Sequence, residues 1–166
     1  MKPVIRTNFF IAPLIIIGAL LPGSCSTARQ TTGTNERVSA SIDSSRWTFT
    51  VETVMPQQGM TRQPNGTYSV IYKDGKLNVY LPYFGRAFSG ADLLQGTNAL
   101  DFISKDFAVD KEELGTDKWR ISFKPNDQRQ VQSMTFILFN NGSGSLDIIL
   151  TNRSPIGYRG TVSKSK

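Results

Sequence analysis

Apolar and polar residues alternate along most of the chain after residue 46. In the segment RWTFTVET, alternation places the side chains of Trp47, Phe49 and Val51 on one side and the threonines and glutamate between them on the other. A period of two predicts a β-strand with one face against a core. The same pattern recurs later in the chain, in the segments ALDFIS, DFAVD, KWRISF and PIGYRGTV.

The strongest local signal is a β-hairpin in the segment GTYSVIYKDGKLNVYLPYF. Two stretches rich in aromatic and β-branched residues, 68–73 and 76–81, flank the dipeptide Asp74-Gly75. An Asp-Gly pair in this position favours a type I′ turn, in which both central residues adopt positive φ. We therefore predict two antiparallel strands joined by this turn.

The remaining pattern predicts the fold class. Residues 134–139 are apolar on both faces, which predicts a strand buried on both sides. The chain contains about eight short strands separated by turn signals, which is typical of an all-β domain. We predict a single antiparallel meander over residues 46–163, forming a sandwich or a partly open barrel, with a short tail at 164–166. Residues 54–64 and 85–98 are predicted to be long loops.

The beginning of the chain has the composition of a secretory signal. Lys2 and Arg6 supply positive charge, and residues 9–21 form an apolar core. A membrane-spanning helix needs about 20 apolar residues. This core is shorter, and Pro13 and Gly18 interrupt it. We expect residues 1–24 to be removed as a signal peptide.

Cys25 is the only cysteine of the chain, and it directly follows the small residues Gly23 and Ser24. This arrangement resembles the lipobox of bacterial lipoproteins, in which the cysteine is acylated and becomes the new N-terminus. Pro22 departs from the usual leucine at its position, and an ordinary secretory signal with a stray cysteine is the alternative. Lipidation predicts attachment to the outer membrane of the cell envelope. Because no acidic run follows Cys25, we expect the protein to face the periplasm.

Residues 25–45 are polar and nearly free of large apolar side chains. This composition predicts a flexible tether between the lipid and the domain. A short helix over residues 35–42 is the alternative, with Val38 and Ile42 on its apolar face.

The composition excludes several classes of function. The chain carries a net charge of +6, which falls to +4 without Lys2 and Arg6. Because the basic residues are scattered, nucleic-acid binding is not expected. Histidine is absent, which excludes Ser-His-Asp and Cys-His catalysis and histidine-based metal sites. We expect no cofactor, no metal and no enzymatic activity.

The segment LPYFGRAF is the candidate binding site. Its aromatic rings, Tyr83, Phe84 and Phe88, could stack on a sugar or a peptide, and Arg86 could pair with a carboxylate or phosphate. Alternatively, Tyr83 and Phe84 fill one end of the core while Arg86 binds loop carbonyls. The same two alternatives apply to Arg153 and Tyr158 near the end of the chain.

Three segments carry a family resemblance: YSVIYKDGKLNVYLPYFGRAF, KWRISFKP and NNGSGSLDIILTNRSPIGYRGTV. They resemble domain-of-unknown-function family 4251, a family of uncharacterised lipoproteins of Bacteroides-type bacteria. The resemblance covers residues 47–162 and is most specific at residues 81–87, with a second group formed by Arg153, Ile156, Tyr158 and Gly160. It implies a lipoprotein with an all-β fold. It implies no function.

Three functions from different classes are compatible with the sequence. The favoured one is a lipid-anchored module of the cell envelope that binds a small ligand or an envelope protein without catalysis. The second is a structural or assembly lipoprotein. The third is a carboxylate-dependent hydrolase, in which a pair of acidic side chains would act on a glycosidic bond. The acidic residues that could form such a pair could instead bind calcium. These residues, interleaved with lysines that favour a solvated surface, are Asp101, Asp106, Asp110, Glu112, Glu113 and Asp117.

Overall fold

The computed structural model describes residues 29–86 and 99–166, which form one helix and nine strands. The helix α1 spans Arg29–Asp43. The strands are β1 (Trp47–Pro56), β2 (Ser69–Lys73), β3 (Lys76–Pro82), β4 (Ala99–Ser104), β5 (Phe107–Gly115), β6 (Lys118–Pro125), β7 (Val131–Phe139), β8 (Ser143–Leu150) and β9 (Ile156–Lys164).

All nine strands belong to one antiparallel sheet with the order β4-β3-β2-β1-β9-β8-β7-β6-β5. The sheet curls into a half-barrel. Strands that pair in the sheet are consecutive along the chain, with one exception: the last strand, β9, pairs with the first, β1. This pairing runs from Trp47↔Lys164 to Pro56↔Ile156. The predicted all-β meander is therefore confirmed, as a partly open barrel.

The two edge strands, β4 and β5, are consecutive in the chain and separated only by Lys105 and Asp106. We call this bend the corner. The Asp127 carboxylate holds it, because it accepts hydrogen bonds from Ser104 Oγ at 2.5 Å and from the Lys105 amide at 2.8 Å. These hydrogen bonds lower the pKa of Asp127, that from Ser104 most strongly. The chain thus passes directly from one edge of the sheet to the other.

An aromatic cluster fills the interior of the half-barrel. Trp47 packs with its ring centroid 4.9 Å from that of Phe136, at an interplanar angle of 69°. Phe136 in turn contacts Phe49 and Phe123 in edge-to-face geometry. These side chains come from β1, β6 and β7, so the cluster joins strands on both sides of the curled sheet. Edge-to-face aromatic pairs contribute about 0.5–1.5 kcal/mol beyond the burial of their area.

The hairpin prediction is confirmed in detail. Strands β2 and β3 pair from Ser69↔Tyr80 to Lys73↔Lys76. Asp74 has φ of 53° and Gly75 has φ of 68°. Two successive positive φ values are those of a type I′ turn. The Asp74 carboxylate also accepts a hydrogen bond from Arg46 at 2.5 Å, which ties the turn to the start of β1.

The predicted flexible tether at residues 25–45 requires correction, because α1 occupies Arg29–Asp43. Val38 and Ile42 are buried against the core, and Lys111 of β5 pairs with Asp43 at 2.6 Å. The helix therefore packs on the sheet, in line with the helical alternative. The predicted signal peptide and Cys25 lie outside the described residues.

Two further expectations differ from the structure. Strand β7 is buried on one face only, because the other face, with Thr135, Ile137 and Phe139, is half-buried. The predicted loop at residues 54–64 begins later than expected, because β1 continues to Pro56 and Val54 forms an isolated bridge with Arg62. Most of the other predicted loop, at 85–98, lies outside the described residues.

Candidate binding site

Tyr83 holds the segment after β3 against the connection between β8 and β9. Its side chain is buried, and its hydroxyl lies 3.0 Å from the Ser154 carbonyl oxygen and 3.1 Å from that of Arg86. The single hydroxyl proton is shared between these two acceptors. The Ser154 amide donates to the Arg86 carbonyl at 2.9 Å. Two segments distant in sequence are joined here by one backbone hydrogen bond and by the hydroxyl of Tyr83.

Gly85 and Arg153 complete the environment of Tyr83. A Cβ atom at Gly85 would lie 2.3 Å from the Tyr83 hydroxyl oxygen, so only glycine fits without displacing the ring. On the other side, the Arg153 guanidinium carbon lies 5.2 Å from the centre of the Tyr83 ring. This is a cation–π distance, and Arg153 is itself buried. Tyr83 and Arg153 are therefore part of the packed interior.

Tyr158 is also an interior residue. It is fully buried in β9, and its hydroxyl donates to the Pro82 carbonyl at 2.9 Å. Burial raises the pKa of Tyr158 far above its usual value, and the nearby Tyr83 adds to this shift. Burial likewise raises the pKa of Tyr83, against the opposing charge of Arg153. Both hydroxyls stay protonated and act as hydrogen-bond donors.

Replacing Tyr158 by phenylalanine is expected to lower the free energy of unfolding by about 1–2 kcal/mol, because the buried Pro82 carbonyl loses its donor. Urea denaturation followed by circular dichroism measures this loss. Tyr80→Phe is the matched control, since Tyr80 is exposed, and a change within about 0.5 kcal/mol is expected for it. Equal stability of Tyr158→Phe and wild type would contradict the structural role.

Phe84, unlike Tyr83, faces the solvent next to an arginine that sequence analysis did not single out. Phe84 is 36% exposed, and the Arg62 guanidinium carbon lies 5.4 Å from its ring centre. Two backbone hydrogen bonds between Arg62 and Val54, of 2.8 and 2.9 Å, hold Arg62 in place. The cation therefore sits over the ring on a fixed piece of backbone.

Arg62 and Phe84 line a concavity of about 410 Å³, which we call the Arg62 pocket. Gln63 and Asn65 add side-chain amides to its wall, and none of the described residues that line it is a carboxylate. Tyr68 also lines it, and its ring stacks on that of Tyr80 with centroids 5.0 Å apart and planes at 24°. The site combines partly exposed aromatic rings, a cation and neutral hydrogen-bonding groups. Its lining is Arg62, Gln63, Asn65, Tyr68, Pro82 and Phe84.

The residues predicted to form the site lie in different environments. Phe84 lines the Arg62 pocket, whereas Tyr83, Arg153 and Tyr158 are buried. The Arg86 side chain is exposed, and its backbone carbonyl holds the loop. Phe88 lies outside the described residues. The arginine whose guanidinium lies over the Phe84 ring is Arg62.

The candidate acidic residues lie along β4, β5 and the turns that follow them, and several have partners of their own. Asp106 accepts a hydrogen bond from Asn126, Glu112 pairs with Arg120 at 2.7 Å, and the Asp117 carboxylate accepts a hydrogen bond from Asn140. Within residues 29–86 and 99–166, no group of three or more acidic or cysteine side chains is arranged to hold a metal ion.

In the same part of the chain, no helix has the length and apolar character needed to cross a membrane.

The family model for a domain of unknown function, DUF4251, matches residues 29–162. The chain belongs to the DUF4251 family. The match includes α1, which shows that the helix is part of the family domain and not a separate linker. The predicted resemblance is therefore confirmed, and it extends further towards the N-terminus than the segments that first indicated it.

A solved structure has the same fold as this DUF4251 chain. The crystal structure of a DUF4251 family protein from Bacteroides eggerthii DSM 20697 aligns with a TM-score of 0.56 at 13% sequence identity. The alignment covers 82% of this chain and 91% of that protein. At this identity the likeness shows the fold alone. No match was found among curated proteins.

Sequence reasoning missed most of the Arg62 pocket in this DUF4251 chain for an identifiable reason. Arg62, Gln63 and Asn65 lie between β1 and β2, where no period of two or 3.6 exists to place them. The signal that was available is compositional, namely polar and cationic side chains directly before the aromatic hairpin. Only the bridge between Val54 and Arg62 brings that segment next to Phe84.

Proposed function

We propose that this protein is a lipid-anchored envelope module that binds an acidic saccharide at the Arg62 pocket without transforming it. The observation that carries the proposal is the Arg62 guanidinium held 5.4 Å above the exposed Phe84 ring in a concavity of about 410 Å³. Such a concavity is large enough to take part of a small ligand. The described residues of the site offer groups that bind, and none of them is a carboxylate that could serve as an acid or a base.

The chemistry of the lining favours a sugar that bears a carboxylate. Aromatic faces such as those of Phe84 and Tyr68 pack against the apolar faces of sugar rings. Side-chain amides both donate and accept hydrogen bonds, which suits hydroxyl groups, and Gln63 and Asn65 supply two of them. The planar guanidinium of Arg62 is suited to bidentate pairing with a carboxylate. A uronic acid presents all three complementary groups.

The proposed anchor is Cys25, supported by the apolar segment and the small residues that precede it. Only Ser26, Thr27 and Ala28 separate this cysteine from the start of α1. With α1 packed on the sheet, the domain would lie close to the lipid headgroups of the outer membrane, facing the periplasm. The anchor restricts the position of the module, and the Arg62 pocket provides its selectivity.

The binding proposal is tested by titrating the protein with oligogalacturonate in a calorimeter. Arg62→Gln is expected to weaken binding at least tenfold, because a hydrogen bond to a charged group contributes about 1.5–3 kcal/mol. Phe84→Ala is expected to weaken it by a smaller factor through loss of ring contact. Neutral dextran is expected to bind more weakly than oligogalacturonate to the wild type.

Arg120→Gln is the matched control, because it removes an exposed arginine that pairs with Glu112 on β5 and not with the pocket. Its affinity for oligogalacturonate is expected to equal that of the wild type. Circular dichroism establishes that each variant is folded. Equal binding by the Arg62 and Arg120 variants, or the absence of binding by the wild type, would contradict the proposal.

A further inference from the structure

A second concavity lies around the loop between β6 and β7. It has a volume of about 540 Å³, and we call it the Lys124 groove. It shares no lining residue with the Arg62 pocket. The lining side chains that matter here are Lys124, Asn126, Gln128, Arg129, Gln132 and Thr151.

The two charged side chains that line the groove are both positive. Lys124 and Arg129 both line it and both are exposed, and no carboxylate is among the described residues of its lining. Neither cation takes part in an ion pair with any residue in the described part of the chain. By contrast, Lys111, Arg46 and Arg120 each have an acidic partner. Two cations that have no ion-pair partner beside one concavity favour the binding of an anion there.

The two acidic residues nearest this loop in the structure, Asp127 within it and Asp106 at the corner, bond to groups around the corner. Both carboxylate oxygens of Asp127 accept hydrogen bonds, one from the Ser104 hydroxyl and the other from the amides of Lys105 and Asp106. The Asp106 carboxylate accepts a hydrogen bond from the Asn126 side chain at 2.9 Å. These two carboxylates keep their negative charge, but their oxygens are directed at the bend between β4 and β5, and neither forms an ion pair with Lys124 or Arg129.

Backbone hydrogen bonds preorganise the wall of the groove. The Val131 amide donates to the Gln128 carbonyl at 3.0 Å, which closes the loop on itself. The Thr151 hydroxyl donates to the Arg129 carbonyl at 2.9 Å, and the Thr151 amide donates to the Gln130 carbonyl at 3.1 Å. Arg129 thus extends from a backbone tied to the end of β8. A fixed backbone reduces the entropy lost when a ligand binds.

We propose that the Lys124 groove binds a glycan that carries sulfate or phosphate esters. Two cations match a strongly charged oxyanion, while the amides of Gln128 and Gln132 and the Thr151 hydroxyl match sugar hydroxyl groups. In the part of the chain that the structure describes, no aromatic ring lines the groove, so charge and hydrogen bonding replace the ring stacking expected in the Arg62 pocket. The concave, polar lining also lacks the exposed apolar side chains that insert into a bilayer, which favours a glycan over a membrane surface.

The test uses dextran sulfate oligosaccharides, with unmodified dextran as the neutral probe. The double variant Lys124→Gln/Arg129→Gln is expected to bind dextran sulfate at least tenfold more weakly than the wild type, with a shallower dependence on salt concentration. The matched control is Lys118→Gln/Arg120→Gln, which removes the same charge from the opposite end of β6. It is expected to retain wild-type affinity within twofold.

Three results would overturn the proposal. One is equal loss of affinity in the two double variants, which would indicate a general effect of net charge. Another is binding of dextran and dextran sulfate with the same affinity. The third is binding only to phosphatidylglycerol vesicles, which would indicate a membrane surface as the partner. The Arg62 pocket is tested with a uronate and with Arg62→Gln, so failure of either proposal is distinguishable from failure of the other.

Discussion

Replacing Gly160 by alanine is expected to lower the free energy of unfolding by at least about 3 kcal/mol. Gly160 lies in β9, between Gly144 of β8 and Val51 of β1. A Cβ atom at this position would lie within 1.9 Å of the Thr50 carbonyl oxygen and 3.1 Å from the Val51 Cα atom. Both atoms belong to the backbone, so no rotation of a side chain can relieve the overlap. The strands β1 and β9 would have to separate.

A graded series of glycine variants tests this expectation by urea denaturation. At Gly144 the nearest atom to a new Cβ is the end of the Leu138 side chain, at 2.8 Å, so Gly144→Ala should cause a smaller loss. At Gly33 in α1 nothing lies within 4 Å, and Gly33→Ala should increase stability by up to about 1 kcal/mol through helix propensity. A Gly160 variant as stable as the wild type would show that β1 and β9 are not this close.

Replacing Cys25 by alanine is expected to move the protein from the membrane fraction to the soluble fraction. The reason is the proposed acylation, since each buried methylene contributes about 0.8 kcal/mol and two or three chains make dissociation negligible. The measurement is metabolic labelling with an alkyne fatty acid in a bacterium that processes lipoproteins, followed by ultracentrifugation. Both the label and the sedimentation with membranes should disappear together.

Ser26→Ala is the matched control for this experiment, because it changes the adjacent residue and keeps the thiol. It should be labelled and should sediment like the wild type. Retention of the label by Cys25→Ala would place acylation elsewhere. An unlabelled wild-type protein in the soluble fraction would contradict the anchor, and it would leave the expectation for the Arg62 pocket unchanged.

Local chemistry was sufficient to predict most strands of the fold. The alternation of Trp119, Ile121 and Phe123 places these side chains on the buried face of β6. Asp74 and Gly75 adopt the positive φ values that a two-residue hairpin demands. Strand alternation and turn type depend on residues that are adjacent in the chain, so both can be predicted from one sequence.

Features that depend on distant contacts were not predictable. Helix α1 contains mostly polar residues, and its position is determined by the burial of Val38 and Ile42 on the sheet. The corner depends on Asp127, which is distant in sequence from the amides it binds. The Arg62 pocket likewise depends on a bridge to Val54 across an irregular segment. In each case a tertiary contact decides between conformations that the local sequence leaves open.

The pairing of Trp47 with Lys164 places the start of β1 and the end of β9 side by side. The Arg62 pocket lies towards the other end of β1, because Arg62 bridges to Val54, which at about 3.3 Å of rise per residue is roughly 23 Å along the strand from Trp47. The Lys124 groove instead lies beside the corner, where Asn126 and Asp127 bond to Asp106 and Ser104, and Ser104 is aligned with Trp47 through Leu77 and Tyr72. The two concavities therefore open towards different ends of β1, so that two ligands can bind without competing for the same space.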